Sequence, residues 1–331
     1  MVFKRLLGSL GVGGPSVDTV LDPAPVVPGG NLVGHVHLKG GNAEFTIDHI
    51  TLELVARVEA EHEDGESEGT VSFGRFSVGG GFRLAEGAAH TVPFSVPLPW
   101  ETPVTELHGQ PLGIVLGVRT ELGVAGAKDK GDLDPLAVRP LPAQEAVLEA
   151  LGGLGFGFKS ADLEYGHIRG TGQQLPFYQE IELTPAPSLA HRVDEVEVTF
   201  LAGAAGLEVV IEADKRGGLF SEGHDAVNRH AVAHADVPHL DWTAEVGRWI
   251  DQLVGHHGAH GSAAPHVPHV PHAAHDPYGH GRRSGPGMGT VVAAGAAGLA
   301  VGVVGGMVAA EVVDEVGDFF EGDEEDEGDE A

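Results

Sequence analysis

Between His90 and Thr105 the apolar side chains alternate as Val92, Phe94, Val96 and Leu98, which is the spacing of a strand with one face buried. The same sixteen residues carry prolines at 93, 97, 99 and 103. Proline cannot donate to a ladder, so a central, fully paired strand is forbidden. A half-buried edge strand of a β-sandwich satisfies both constraints, and a scaffold of that kind works through its surfaces and loops.

The rest of the first half follows suit. From Ile47 to Val58 the residues Ile50, Leu52, Leu54, Ala56 and Val58 face one side and Thr51, Glu53, Arg57 and Glu59 the other, a buried face against a wet one. Ile114 to Leu122 repeats the pattern, with Ile114, Leu116, Val118, Thr120 and Leu122 inward. Shorter strands are expected at Val17 to Leu21, Asn31 to Leu38, Val71 to Val78 and Thr91 to Leu98, divided by turn residues such as Pro28-Gly29-Gly30-Asn31. Many short strands without an intervening helical period imply a sandwich.

Lys128 to Pro142, polar and then broken by Pro135, Pro140 and Pro142, is expected to be a linker. A helix from Ala143 to Leu151 follows, with Gly152-Gly153 as its C-cap. Strands resume at Ala161 to Glu164, Leu175 to Leu183, Val193 to Leu201, Leu207 to Glu212 and Val227 to Ala235. In the third of these, Val196, Val198 and Phe200 alternate with Glu195, Glu197 and Thr199. Asp241 is placed to cap a last helix whose Trp242, Val246, Trp249, Ile250 and Leu253 form an apolar stripe.

Several function classes fall away on composition and motifs. The chain has no cysteine, which removes disulfides, thiolate metal sites and a thiol nucleophile and makes a reducing, cytoplasmic location the default. The net charge of −30 repels phosphate backbones, so nucleic acid is not an expected partner. No phosphate-binding loop, nucleophile elbow or His-Glu-x-x-His zinc helix occurs, and Gly152 to Gly157 follows a helix where dinucleotide binding needs a strand. No catalytic, cofactor-binding or metal-ligating residue is therefore expected, and no cofactor. His35 and His37 lie two apart on one strand face, which an exposed polar face explains.

Both ends carry special segments. At the N-terminus Phe3, Leu6, Leu7 and Leu10 share one helical face behind Lys4 and Arg5, and the glycines that follow leave no cleavable leader. Residues 255 to 289 form a His/Pro/Gly-rich linker whose His266-Val-Pro-His-Val-Pro-His272 repeat favours an extended polyproline spacer and fixes no metal shell. Thr290 to Ala310 is uncharged and Gly/Ala-rich, and Ala294, Gly298, Gly302, Gly306 and Ala310 recur every four residues as a small-xxx-small seam for self-association. That stretch is also long enough to cross a bilayer, so membrane contact stays open beside helix pairing. Residues 311 to 331 hold 12 acidic and no basic side chains and read as a solvated tail.

Particular runs of residues support a resemblance. Phe3 to Gly14 followed by Ser16 to Leu21, then Val27 to Gly41, Pro93 to Val104, Glu145 to Leu151 and Leu175 to Leu183, resemble in colinear order the bacterial sporulation-control protein family with an arrestin-like fold. The resemblance covers about residues 1 to 254. It implies a mainly β chain of two tandem arrestin-like β-sandwich domains, at 1–127 and 143–254 around a 128–142 linker, with short helices; the flexible C-terminal tail with its Gly/Ala-rich helix departs from the family and is expected from the residues alone. It also implies a non-enzymatic regulatory adaptor for sporulation or cell development that acts through protein partners, and it supplies no catalytic residues. The alternative is a membrane-associated structural protein that oligomerises through residues 290–310.

Overall fold

The computed structural model describes residues 13–62, 65–215 and 226–255. The expected N-terminal helix through Phe3, Leu6, Leu7 and Leu10, the histidine run, the seam from Ala294 to Ala310 and the acidic tail lie outside the described residues. Within them the chain is mainly β. Strands β1 (Ser16–Leu21), β2 (Asn31–Lys39) and β6 (Ala89–Pro97) make a three-stranded antiparallel sheet in the order β1-β2-β6. The proline-spaced strand thus takes the edge, with Pro93 opposite His35 and Pro97 opposite Asn31.

The second sheet is organised by β3 (Phe45–His62), which pairs with four other strands. β4 (Gly65–Gly79) and β5 (Phe82–Leu84) pair with it, and β9 (Leu116–Val124) pairs with it from Ile47 to Ala56. β10 (Lys130–Pro135) lies outside β9. Where β9 ends, β11 (Gly157–Tyr165) pairs in parallel with β3, Glu164 beside Glu59. The sheet then continues antiparallel through β12 (Phe177–Thr184), β13 (Val193–Ala202), β14 (Gly206–Lys215) and β15 (Ala226–Ala233). A two-residue-stranded hairpin, β7 (Glu106–Leu107) and β8 (Gln110–Pro111), stands apart.

Two principal cores follow from the alternation. In the first, Leu32, Val36, Leu38, Phe94 and Val96 of the small sheet pack on Ile50, Leu52, Leu54, Val118 and Leu122 of β3 and β9. A buried polar contact crosses it. The buried hydroxyls of Thr19 and Thr120 lie 2.7 Å apart and satisfy each other, which removes most of the cost of burying either. In the second core, Ile181, Val196, Val198, Val209 and Ile211 are covered by helix α1 (Pro142–Gly153) and helix α2 (Trp242–Gly255) through Val147, Leu151, Val246, Trp249 and Leu253. Among the described residues, the layer facing β12 to β14 here is largely helical.

Local chemistry sets both helix starts. Pro142 takes the first turn of α1, where a missing N–H costs nothing, and the buried Gln144 side chain accepts from the Leu141 N–H at 2.8 Å. Asp241 caps α2 as its position implied, its carboxylate accepting from Ala244 N–H at 3.1 Å. Two expectations are corrected. The helix does not stop before Gly152-Gly153 but includes both, with Leu154 as its C-cap, and the left-handed residue is Gly155, at φ 95°. Lys130 to Pro135, expected as linker, is strand β10, because β9 offers it a ladder and Asp132 accepts from the Thr19 N–H at 2.6 Å.

Candidate functional surface

The large sheet turns one face to its cores and the other outward, and the outward face carries the charge. Over β3, β4 and β9 the charges are matched. Glu53, expected on a wet face, is only 6% exposed because Arg75 of β4 and Arg119 of β9 close over it, the latter donating from Nε at 2.9 Å. Beside them His49 Nε2 meets Glu121 Oε1 at 2.9 Å, and this hydrogen bond holds the Glu121 carboxyl below its usual range against the opposing effect of burial.

Over β11 to β14 the balance is lost. The register sets Asp162 opposite Glu180, Glu164 opposite Tyr178, Glu182 opposite Glu197, and Glu197 opposite Glu212. Carboxylate oxygens of Asp162, Glu164 and Glu180 lie within 4.8 Å of one another. Burial first, then the charges of Glu197, Asp162, Glu164 and Glu212, push the Glu180 carboxyl up to about 9. Glu180 therefore carries a proton at neutral pH. Tyr178 is pushed up as well, by burial first and then by Glu180, Glu164, Glu212 and Glu197. Among the described residues, Lys159 bridges Glu182 and Glu195, and Arg229 pairs with Glu208.

The loop between β11 and β12 roofs part of this surface. Ile168 packs on Tyr178, Leu201 and Val210 in a small third cluster. Gln173 braces the loop, accepting from Ile168 N–H at 2.9 Å and donating to the carbonyls of Gly166 and Leu175 at 2.8 Å. Its far end is tied to the turn after β6, where Glu101 accepts from the N–H groups of Gln174 at 2.7 Å and Leu175 at 2.8 Å. A cleft lined by Trp100, Thr102, Gln144, Tyr178, Gln179 and Leu201 opens at this junction. It holds little more than a water molecule, which is too little for a metabolite.

A second group of ligand-type side chains lies where the β7–β8 turn meets α1: His108, Glu145 and Glu149 offer three ligand atoms within 4.8 Å. Sequence spacing alone conceals it, since His108 is 37 residues from the nearer glutamate. His35 and His37 stack at 6.1 Å on the exposed face of β2, and His37 Nδ1 lies 3.1 Å from Thr91 Oγ1, as a polar face requires.

These features sit on a chain with clear relatives. Residues 3–217 match the family model described as SpoOM protein. The chain belongs to the SpoOM protein family. A member from Bacillus subtilis (strain 168), the sporulation-control protein spo0M, is 37% identical over 216 residues, spanning 65% of this chain and 81% of that protein. The crystal structure of Spo0M from Bacillus subtilis superposes with a TM-score of 0.63 at 29% identity, covering 74% of this chain and 99% of the other. The mainly β architecture expected from the sequence accordingly holds for this SpoOM protein and is shared with that structure. No helix among the described residues is long and apolar enough to cross a membrane.

Proposed function

We propose that this SpoOM protein is a non-enzymatic, cytoplasmic adaptor that regulates sporulation or cell development by docking other proteins. The observation that carries the reading is its 37% identity over most of a sporulation-control protein of similar fold. In this reading two arrestin-like units, at 1–127 and 143–254, form the docking body. Proline distribution distinguishes the sheet edges. β6 is closed to strand addition by Pro93 and Pro97, whereas β15 contains no proline and, among the described residues, pairs only with β14. The open edge of β15 is the place where a partner strand adds with backbone hydrogen bonds. Its flank is exposed at Val227 and Arg229.

The test is complementation. Expressed in Bacillus subtilis lacking its own sporulation-control protein, this chain restores normal spore counts, and so does a version ending at Val254. Spore counts no better than an empty vector for both would overturn the proposal.

A second reading rests on the 21 uncharged residues from Thr290 to Ala310 and the four-residue recurrence from Ala294 to Ala310. It makes the protein a membrane-associated structural element that self-associates through that seam. Carbonate-resistant pelleting that disappears on truncation at Val254 would support it over the adaptor.

A further inference from the structure

The turn joining β7 and β8 places a histidine against a helix face that carries two carboxylates and no basic side chain. His108 and Gly109 form the two-residue loop, with Leu107 opposite Gln110. Both have positive φ, 51° and 74°, as a type I′ turn demands. Histidine is a costly choice there, and His108 is the one non-glycine residue in that region of backbone space among the described residues. Its backbone conformation delivers the imidazole to the start of α1. Nδ1 lies 3.3 Å from Glu145 Oε1 and Nε2 lies 3.4 Å from Glu149 Oε1.

The helix side shows the complementary tension. Glu145 and Glu149 are four residues apart and so share one face, where like charges repel. α1 contains no lysine or arginine to relieve them. All three side chains reach solvent, so an ion has an entry path and water can fill the remaining coordination positions. One ligand atom from each of the three residues lies within 4.8 Å of the other two, a spread that small side-chain rotations close to the about 3.3–3.4 Å between neighbouring ligands of a tetrahedral zinc ion. One imidazole nitrogen with two carboxylate oxygens is a borderline donor set that suits Zn²⁺ better than Ca²⁺ or Mg²⁺.

We propose that His108, Glu145 and Glu149 form a divalent transition-metal site of the zinc class, which clasps the β7–β8 hairpin to helix α1. One ring nitrogen and one oxygen from each carboxylate bind the ion. The clasp joins the hairpin to the helix that covers the second core, so metal occupancy stiffens that connection.

The test counts and locates bound ions in the full-length chain, where the histidine-rich segment supplies a constant background. Equilibrium dialysis with Zn²⁺ is run on the native chain and on His108→Asn and Glu149→Gln, with circular dichroism to verify that both variants fold. The native chain is expected to hold one more equivalent than either variant. Mn²⁺ added to the native chain is expected to broaden the Gly109 and Glu149 amide resonances, and to leave them sharp in His108→Asn. Equal stoichiometry in all three proteins, or no broadening at Gly109 and Glu149, overturns the site and leaves the contacts between the imidazole and the two carboxylates as the whole interaction.

Discussion

Glu180 makes the acidic face measurable. Its carboxyl is held up to about 9 by burial and by Glu197, Asp162, Glu164 and Glu212, whereas in the unfolded chain it titrates near 4.5. The raised value fixes the sign: the proton-bound form stabilises the fold fully below about pH 4.5, and that contribution is lost as pH rises toward 9. At pH 7 the span already crossed is about 2.5 pH units, which at about 1.4 kcal/mol per unit bounds the penalty near 3 kcal/mol. Relaxation and water entry reduce it, so about 1–3 kcal/mol is the working range. Glu180→Gln mimics the protonated acid and removes the penalty. At about 2–4 °C per kcal/mol for a folded body of this size, the variant should melt about 5 °C above the native chain at pH 7.5 and level with it at pH 4.5. Thermal unfolding followed by circular dichroism across pH 4.5 to 8.5 gives both curves. Because the charge of Asp162 is among those that raise Glu180, Asp162→Asn should flatten the same slope. Parallel curves for native and Glu180→Gln would show that the cluster holds no extra proton and would sink the reasoning.

Asp134 is pushed up to about 6 by burial and by Asp132 and Asp18, so its stabilising contribution is lost as pH rises through 6; Asp134→Asn should gain about 1–2 kcal/mol at pH 7.5 and nothing at pH 4, read from urea midpoints. His230 stacks on Trp249 of α2 at 4.4 Å, and burial lowers its pKa below the ordinary 6.5. Its neutral form therefore stabilises the fold above pH 6.5 and fails as pH drops below that value, whereas His230→Phe should keep the stack and lose this acid sensitivity in melts between pH 7 and 5. Leu52, fully buried between the two sheets, should cost about 3–4 kcal/mol when cut to alanine, measured by chemical denaturation at pH 7.

Residue alternation made much of this fold legible before any coordinates. Leu52 and Leu54 point inward and Glu53 outward because a strand leaves no other choice, and the prolines of β6 placed it at an edge. What alternation cannot supply is register between strands distant in the chain. Glu195, Glu197 and Thr199 read as a solvent face, yet Thr199 is 3% exposed on a face that the 166–176 loop partly covers. The pile-up of Asp162, Glu164 and Glu180 depends on two strands meeting at one particular offset. β10 was hidden for a related reason: Gly131, Asp132 and Pro135 are turn formers by local propensity, and tertiary pairing with β9 overrides them. His108 left one local signal, a His-Gly pair able to make a tight turn, but nothing in the sequence points that turn at Glu145 and Glu149.

Gln179 is a group that ties the two principal cores, and its removal is informative. It sits on β12 between Phe177, which joins the first core, and Ile181, which joins the second. Its Oε1 accepts from the Val104 N–H at 2.9 Å and its Nε2 donates to the Val104 carbonyl at 2.9 Å, so one side chain satisfies both backbone groups of a residue that is 2% exposed. Gln179→Met keeps the length and removes both bonds. Each buried backbone group left without a partner costs about 1–3 kcal/mol, so the variant should lose about 2–4 kcal/mol in denaturant unfolding. The loss should also be local. The connection from Trp100 to Thr105 is held to the second half here and at Glu101, so the amide of Val104 should exchange with solvent at least tenfold faster while Leu52 and Val118 in the first core keep their protection. Uniform acceleration across both cores would mean that Gln179 contributes only to global stability. An unchanged Val104 amide would mean that its bonds are not what fastens this connection to the sheet.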